Sequence, residues 1–205
     1  MPSLHIKILA FDGMEALDFA GPFEVFTTAA RMHQRLQSEP RIEPWCEVRC
    51  VAHTAAPVAA RAGLRVLPDS AFADGDARSA DVLLIPGGVV DAAMQDGPTL
   101  EWIGKESARS GITASVCTGA FLLAASGVIT QESVTTHWED MDDLRRQFPQ
   151  LTVQTGVRWV DTGRIVTSAG ISAGIDMSLH LVARLGGMAL AERTAQQMDF
   201  AWTRN

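Results

Sequence analysis

The stretch Ile112-Thr113-Ala114-Ser115-Val116-Cys117-Thr118-Gly119-Ala120-Phe121-Leu122-Leu123-Ala124-Ala125 reads as a strand passing directly into a helix. A short apolar run containing β-branched residues ends in a cysteine, and a helix-forming run starts at once after it. Reversal over one or two residues forces a tight turn, so the apex residue projects outward at the strand's carboxyl end. Gly119 lets the backbone come close there. This is the logic of a nucleophile elbow with Cys in the place of Ser. The amino end of the next helix would favour thiolate over thiol. A structural cysteine on a core strand fits the same residues, because free cysteine is among the most buried residue types. Only the rest of the chain separates the two.

Upstream, Asp81-Val82-Leu83-Leu84-Ile85 is an unbroken apolar run of the kind a buried parallel strand shows, stopped by Pro86-Gly87-Gly88. A helix over Leu100 to Arg109 joins it to Ile112. Leu4 to Phe11 is the opening strand, ended by Asp12-Gly13. Gly21-Pro22 places a helix start, with Pro near the first position and Phe23, Phe26, Thr27 and Ala30 on one face. Arg31 to Pro44 is the end of that helix and a loop. Cys46 to His53 is a second strand, and Val58 to Leu67 a hairpin turning at Ala62-Gly63.

Downstream, a helix over Thr118 to Ser126 is capped by Gly127. Val134 to His137 is a short strand. Trp138 to Phe148 is a helix whose acidic-then-basic order suits its dipole. Val157 to Asp161 and Arg164 to Ser168 form a hairpin about Thr162-Gly163. Two helices, Ser172 to Leu185 and Met188 to Trp202, are separated by Gly186-Gly187. Strands alternating with helices imply an α/β fold: a doubly wound, mostly parallel sheet with helices on both faces, in a single domain over residues 1–205.

Composition narrows the function. The 205 residues are 47% hydrophobic and 20% charged, as in an ordinary globular protein with a sizeable core. A formal net charge of −7, with basic residues scattered, argues against nucleic acid as a partner. No apolar run approaches the roughly 20 residues of a membrane helix, and the start does not read as a signal peptide. Cys46 and Cys50, on one strand, would lie roughly 13 Å apart and could not bridge each other. Three cysteines leave at least one thiol free, which suits a reducing cytoplasm.

In such a sheet, ligands bind outside the carboxyl ends of the strands. Asp18 follows the first strand, Gly87-Gly88 ends the Asp81 strand, and Cys117 ends the next one. A diglycine at a strand end can aim backbone N–H groups at a ligand, or can simply be a tight turn. Asp18 is a turn or capping residue, or a carboxyl held dry by Leu17, Phe19 and Ala20 and able to keep a proton. His137 either lines a pocket or is bonded to backbone beside Trp138. His180 reads as a packed or interface residue, and Asp176 as a cap or first-turn charge. Trp138, Trp159 and Trp202 read as core or interface. No cluster has metal-ligand spacing, so no metal is expected. Gly170 to Gly174 lacks the Lys of a phosphate loop and the spacing of a dinucleotide site, so no organic cofactor is expected either.

Leu17-Asp18-Phe19-Ala20-Gly21-Pro22-Phe23-Glu24-Val25-Phe26, Ile85-Pro86-Gly87-Gly88, Val116-Cys117-Thr118-Gly119-Ala120, Thr135-Thr136-His137-Trp138 and Thr167 to Asp176 occur in this order. Together they resemble the ThiJ/PfpI superfamily, related to class I glutamine amidotransferases. The chain is most similar to two of its branches, the isonitrile hydratases and the amino-terminal domain of AraC-type regulators. The resemblance implies Cys117 as nucleophile and Asp18 as its carboxyl partner. It implies the N–H groups of Gly87, Gly88 and Thr118 as anion-stabilising donors, with Val89, His137 and Ile171 around the pocket. It also implies a homodimer acting on a small molecule. Peptidase-like members carry His where this chain has Thr118. Glyoxalase and deglycase members carry Glu where it has Asp18. Both readings are weakened accordingly. Val89-Val90 departs from the hydratase pattern after Gly88. The expected activity is isonitrile hydration, and the alternative is a non-catalytic small-molecule or redox sensor.

Overall fold

The computed structural model describes residues 3–37, 43–75 and 78–204. The chain runs β1 (Leu4–Ala10), α1 (Ala16–Leu36), β2 (Cys46–Ala52), β3 (Val58–Ala59), β4 (Arg65–Val66), β5 (Ser70–Ala71), β6 (Val82–Ile85) and α2 (Gly97–Arg109). It continues with β7 (Ile112–Val116), α3 (Gly119–Ala125), β8 (Ser133–Val134), α4 (Met141–Gln147), β9 (Thr152–Val153), β10 (Trp159–Asp161) and β11 (Ile165–Ser168). Helices α5 (Ala173–Gly186) and α6 (Met188–Gln197) complete it.

Seven strands form the main sheet in the order β10-β11-β7-β6-β1-β2-β5, parallel throughout except for the β10–β11 hairpin. The unbroken apolar runs take its centre: every residue of β6 and β7 is buried, as parallel strands covered on both faces require. Helices α1, α5 and α6 pack on one another, and α2 packs on α3. The chain first moves from β1 outward to β2, then returns to the other side of β1 for β6 and β7. The carboxyl ends of β1 and β6 therefore flank the point where the strand order reverses, and that crevice is where such sheets bind ligands.

Four local readings are corrected. Helix α1 begins at Ala16, five residues before the Gly21-Pro22 start, and Pro22 lies inside it. Proline lacks the N–H for the preceding turn, but Pro22 is buried and Gly21 packs so close to Ile175 that a Cβ there would meet it at 2.9 Å. Tertiary packing overrides the local preference, and Asp18 becomes a first-turn helical residue. The helix also runs on to Leu36, while residues 38–42 of the expected loop lie outside the described residues. The strand expected at 134–137 shrinks to β8, which pairs with β9 apart from the main sheet. The helix expected from Trp138 opens as a 3-10 turn, and Trp138 is 71% exposed, outside the core. Helix α6 stops at Gln197 rather than Trp202, and Asp199, at φ 51, turns the chain back. The three cysteines are free, with Cys46 and Cys50 on one strand.

Candidate active site

Cys117 sits between the end of β7 and the start of α3 with φ 56, a left-handed conformation uncommon for a residue with a side chain. The turn is fixed from several sides. The Cys117 N–H donates to Ser168 O at 3.1 Å, and the Thr136 hydroxyl donates to Cys117 O at 2.8 Å. Gly119 is required by the close approach to β6: a Cβ there would lie 2.3 Å from Ile85 O. Strain at the cysteine is thus held by three neighbouring segments.

Asp18 approaches from the first turn of α1 and is completely buried. Its Oδ2 accepts the Gly87 N–H at 3.1 Å, while Oδ1 is buried without a regular hydrogen bond. Burial pushes the carboxyl up to about 7; the Gly87 N–H pulls the other way, the charge of Glu15 adds to the rise, and a weak contact from the Cys117 side chain lowers it. Of the three neighbours expected to keep it dry, Phe19 is buried, whereas Leu17 and Ala20 are exposed. The Gly87 segment also packs against the carboxyl.

The thiol is not the thiolate that the helix end suggested. Burial, then the Asp18 charge, push Cys117 up to about 12, and the backbone N–H groups of Thr118 and Ile171 facing the sulfur offset only part of this. Burial likewise takes Cys46 and Cys50 to about 12. Acidity alone therefore does not distinguish Cys117. Its neighbours do: a carboxyl that titrates near neutrality, and two amides aimed at the sulfur.

The diglycine is used differently from the expectation. The Gly87 N–H is taken by Asp18, and the Gly88 N–H donates to Thr118 Oγ1 at 2.8 Å. The Thr118 hydroxyl donates in turn to Gly88 O at 2.9 Å. Both glycine amides are thus engaged within the protein, which leaves the Thr118 and Ile171 N–H groups as the donors at the sulfur. The glycines are still obligatory. A Cβ on Gly87 would lie 2.5 Å from Thr118 N and 2.9 Å from Asp18 Oδ2, and one on Gly88, at φ +133, would lie 2.3 Å from Gly13 O.

A cleft of about 520 Å³ opens beside Thr118 and Gly88, with Val89, Arg61, Phe121 and Asp140 among its walls. Of the residues expected around a pocket, Val89 lines it, whereas His137 and Ile171 do not. The His137 ring packs against Gly170, where a Cβ would lie 2.0 Å from Cδ2, and its Nδ1 is 3.3 Å from Asp140 Oδ2. Ile171, at φ 43, is 38% exposed. His180 pairs with Asp161 at 2.6 Å, and Asp176 is far more than a cap: it is wholly buried and ion-paired with Arg158. Thr136 stands in the Thr135-Thr136-His137-Trp138 motif, but its bond to Cys117 O, 19 residues away, has no signal in local spacing, and neither has the charge of Asp140, which acts on the sulfur through space. Among the described residues no group of acidic, His or Cys side chains could hold a metal ion, and no helix is long and apolar enough to cross a membrane.

A doubly wound, mostly parallel sheet, with a cysteine at the carboxyl end of β7 and a buried carboxyl beside it, defines the class. The sequence pattern of the DJ-1/PfpI family matches residues 5–184, and the chain belongs to that family. It is 32% identical to an isonitrile hydratase of Pseudomonas putida, over 97% of this chain and 79% of that protein. It is 29% identical to the HTH-type transcriptional regulator CdhR of Pseudomonas aeruginosa, over 92% of this chain but only 53% of the regulator. The solved structure of a ThiJ/PfpI family protein from Pseudomonas syringae superposes with a TM-score of 0.83 at 29% identity, covering 100% of this chain and 78% of that one.

Proposed function

We propose that the protein hydrates a small isonitrile to an N-substituted formamide, with Cys117 as nucleophile at the elbow. The observation that carries the reading is the carboxyl of Asp18, held near neutrality by burial and set against the Cys117 thiol. The similarity to an isonitrile hydratase over nearly the whole chain supports it.

An isonitrile carbon accepts a nucleophile and a proton at the same atom. Ionised Asp18 takes the thiol proton as sulfur bonds to that carbon, then delivers the proton to the carbon, giving a thioimidate, S–CH=N–R. Water adds across the C=N bond with Asp18 as base, and collapse of the adduct breaks the C–S bond. The products are the formamide and the free thiol, so one isonitrile and one water are consumed and the carboxyl is regenerated. The Thr118 and Ile171 N–H groups hold charge on sulfur as it forms and departs. No metal or organic cofactor enters this scheme. We further place the protein in the cytoplasm as a homodimer.

Incubation with a simple alkyl isonitrile, followed by formamide formation, tests the reading. The native protein turns over and Cys117→Ala does not; absence of native turnover sinks the proposal. A second reading, a non-catalytic sensor, is favoured by the similarity to CdhR. Selective peroxide oxidation of Cys117 without isonitrile turnover would establish it in place of the first.

A further inference from the structure

Asp176 is a buried charge that the chemistry above does not use. It lies in the first turn of α5, five residues beyond Ile171, whose N–H faces the Cys117 sulfur. Ile171 holds φ 43, and a β-branched residue stays in that region only where its surroundings over-determine it. The turn before α5 is packed closely: a Cβ on Gly170 would lie 2.0 Å from the His137 ring, and one on Gly174 2.8 Å from Val116. That contact fixes the turn from the β7 side. Asp176 fixes it from the other.

Arg158 Nε donates to Asp176 Oδ2 at 2.9 Å, and a second guanidinium N–H reaches the same oxygen. Arg158 also donates to Ser172 Oγ at 3.4 Å, and its carbonyl accepts the Ala169 N–H at 2.9 Å. One residue therefore grips the 169–172 turn at both ends. The other carboxylate oxygen, Oδ1, accepts the Thr203 N–H at 2.8 Å, and the Asp176 carbonyl accepts the Trp202 indole N–H at 3.2 Å. These two donors come from the segment that Asp199 turns back after α6. The tail is held in turn by the Phe200 N–H on Ala195 O and by Arg204 over the Trp202 ring.

We propose that Asp176 is a positioning residue: with Arg158 and the C-terminal strap at Trp202 and Thr203, it fixes the Ile171 N–H against the Cys117 sulfur. The proposal rests on Cys117 being the reactive centre, but its test needs no isonitrile. A clamp that only held the fold together would, when weakened, expose the thiol and speed its modification. A positioning clamp, when weakened, withdraws a donor from the forming thiolate and slows it.

The measurement is the rate of iodoacetamide labelling at Cys117, located by peptide mapping, in the full-length protein at about pH 8.5. Asp176→Asn is expected to slow labelling by about 3- to 10-fold while far-ultraviolet circular dichroism keeps the native spectrum. Trp202→Phe and Thr203→Pro each delete one donor of the strap at the chain's periphery, and each is expected to slow it about 2-fold. Those two variants decide the matter if Asp176→Asn does not fold. Unchanged or faster labelling in the folded variants overturns the proposal. Slower labelling in a protein inert to isonitriles sustains it while removing the hydratase reading.

Discussion

Asp18 and Asp176 occupy the same local position, the first turn of a helix, and neither has any solvent exposure. Their partners differ completely. Asp176 receives two N–H groups from Arg158 and one from the backbone of Thr203, so its charge is matched and both oxygens are satisfied. Asp18 receives one N–H from Gly87, has an oxygen without a regular bond, and lies near the like charge of Glu15. A buried carboxylate with a cation is a structural joint. A buried carboxyl without one holds its proton until near neutrality and can exchange it with a neighbouring thiol. Burial alone assigns neither role.

The largest effect should come from removing the exchangeable proton. Asp18→Asn keeps the shape but is expected to cut isonitrile turnover by about 10²- to 10⁴-fold. In the native protein kcat/KM should rise with pH through an apparent pKa near 7, because below it no carboxylate is available to take the thiol proton. That limb should vanish in the variant. Equal pH profiles for the two proteins would break the assignment.

The same carboxyl should leave a mark on stability. Its folded pKa of about 7 lies above the unfolded value near 4, so between these the unfolded chain ionises first and binds fewer protons. Native stability should therefore fall as pH rises from about 4 to about 7, by up to about 4 kcal/mol from this group, and then level off. Urea unfolding at mildly acidic and mildly alkaline pH would read this as an Asp18→Asn variant that gains on the native protein as pH rises. A constant difference between the two would contradict it.

Arg158→Met strands a buried carboxylate and is expected to cost about 3 kcal/mol, the lower end of such losses because the guanidinium is partly exposed. Unfolding midpoints of the single variants and of Arg158→Met with Asp176→Asn would test it, since losing both charges should restore part of the loss. The smallest effect concerns Thr118. Its hydroxyl satisfies both backbone groups of Gly88, so Thr118→Val should cost about 1–2 kcal/mol in urea unfolding.

Much of the fold was legible in short runs of residues. Val82 to Ile85 and Ile112 to Val116 carry enough continuous apolar character to be central parallel strands, and Cys117 lies where the second of them meets a helix. Pro22 is a strong local signal for a helix start, yet helix α1 runs through it, because the contact of Gly21 with Ile175 comes from α5, far along the chain. The Gly87 and Gly88 amides were legible as a cluster of donors at a strand end but not as donors already committed to Asp18 and Thr118.

The sequence by itself determined the parallel sheet, the turn that carries Cys117, and the family, because these depend on patterns within ten or so residues and on motifs in a fixed order. Only the tertiary structure decided how the two buried aspartates are partnered and how far burial raises Asp18. A pKa is set by what is packed around a group in three dimensions. For Asp18 that is burial above all, opposed by the Gly87 N–H; Asp176, equally buried, is instead bonded to Arg158 and the returning tail. No local pattern distinguishes an acid in the first turn of one helix from an acid in the first turn of another.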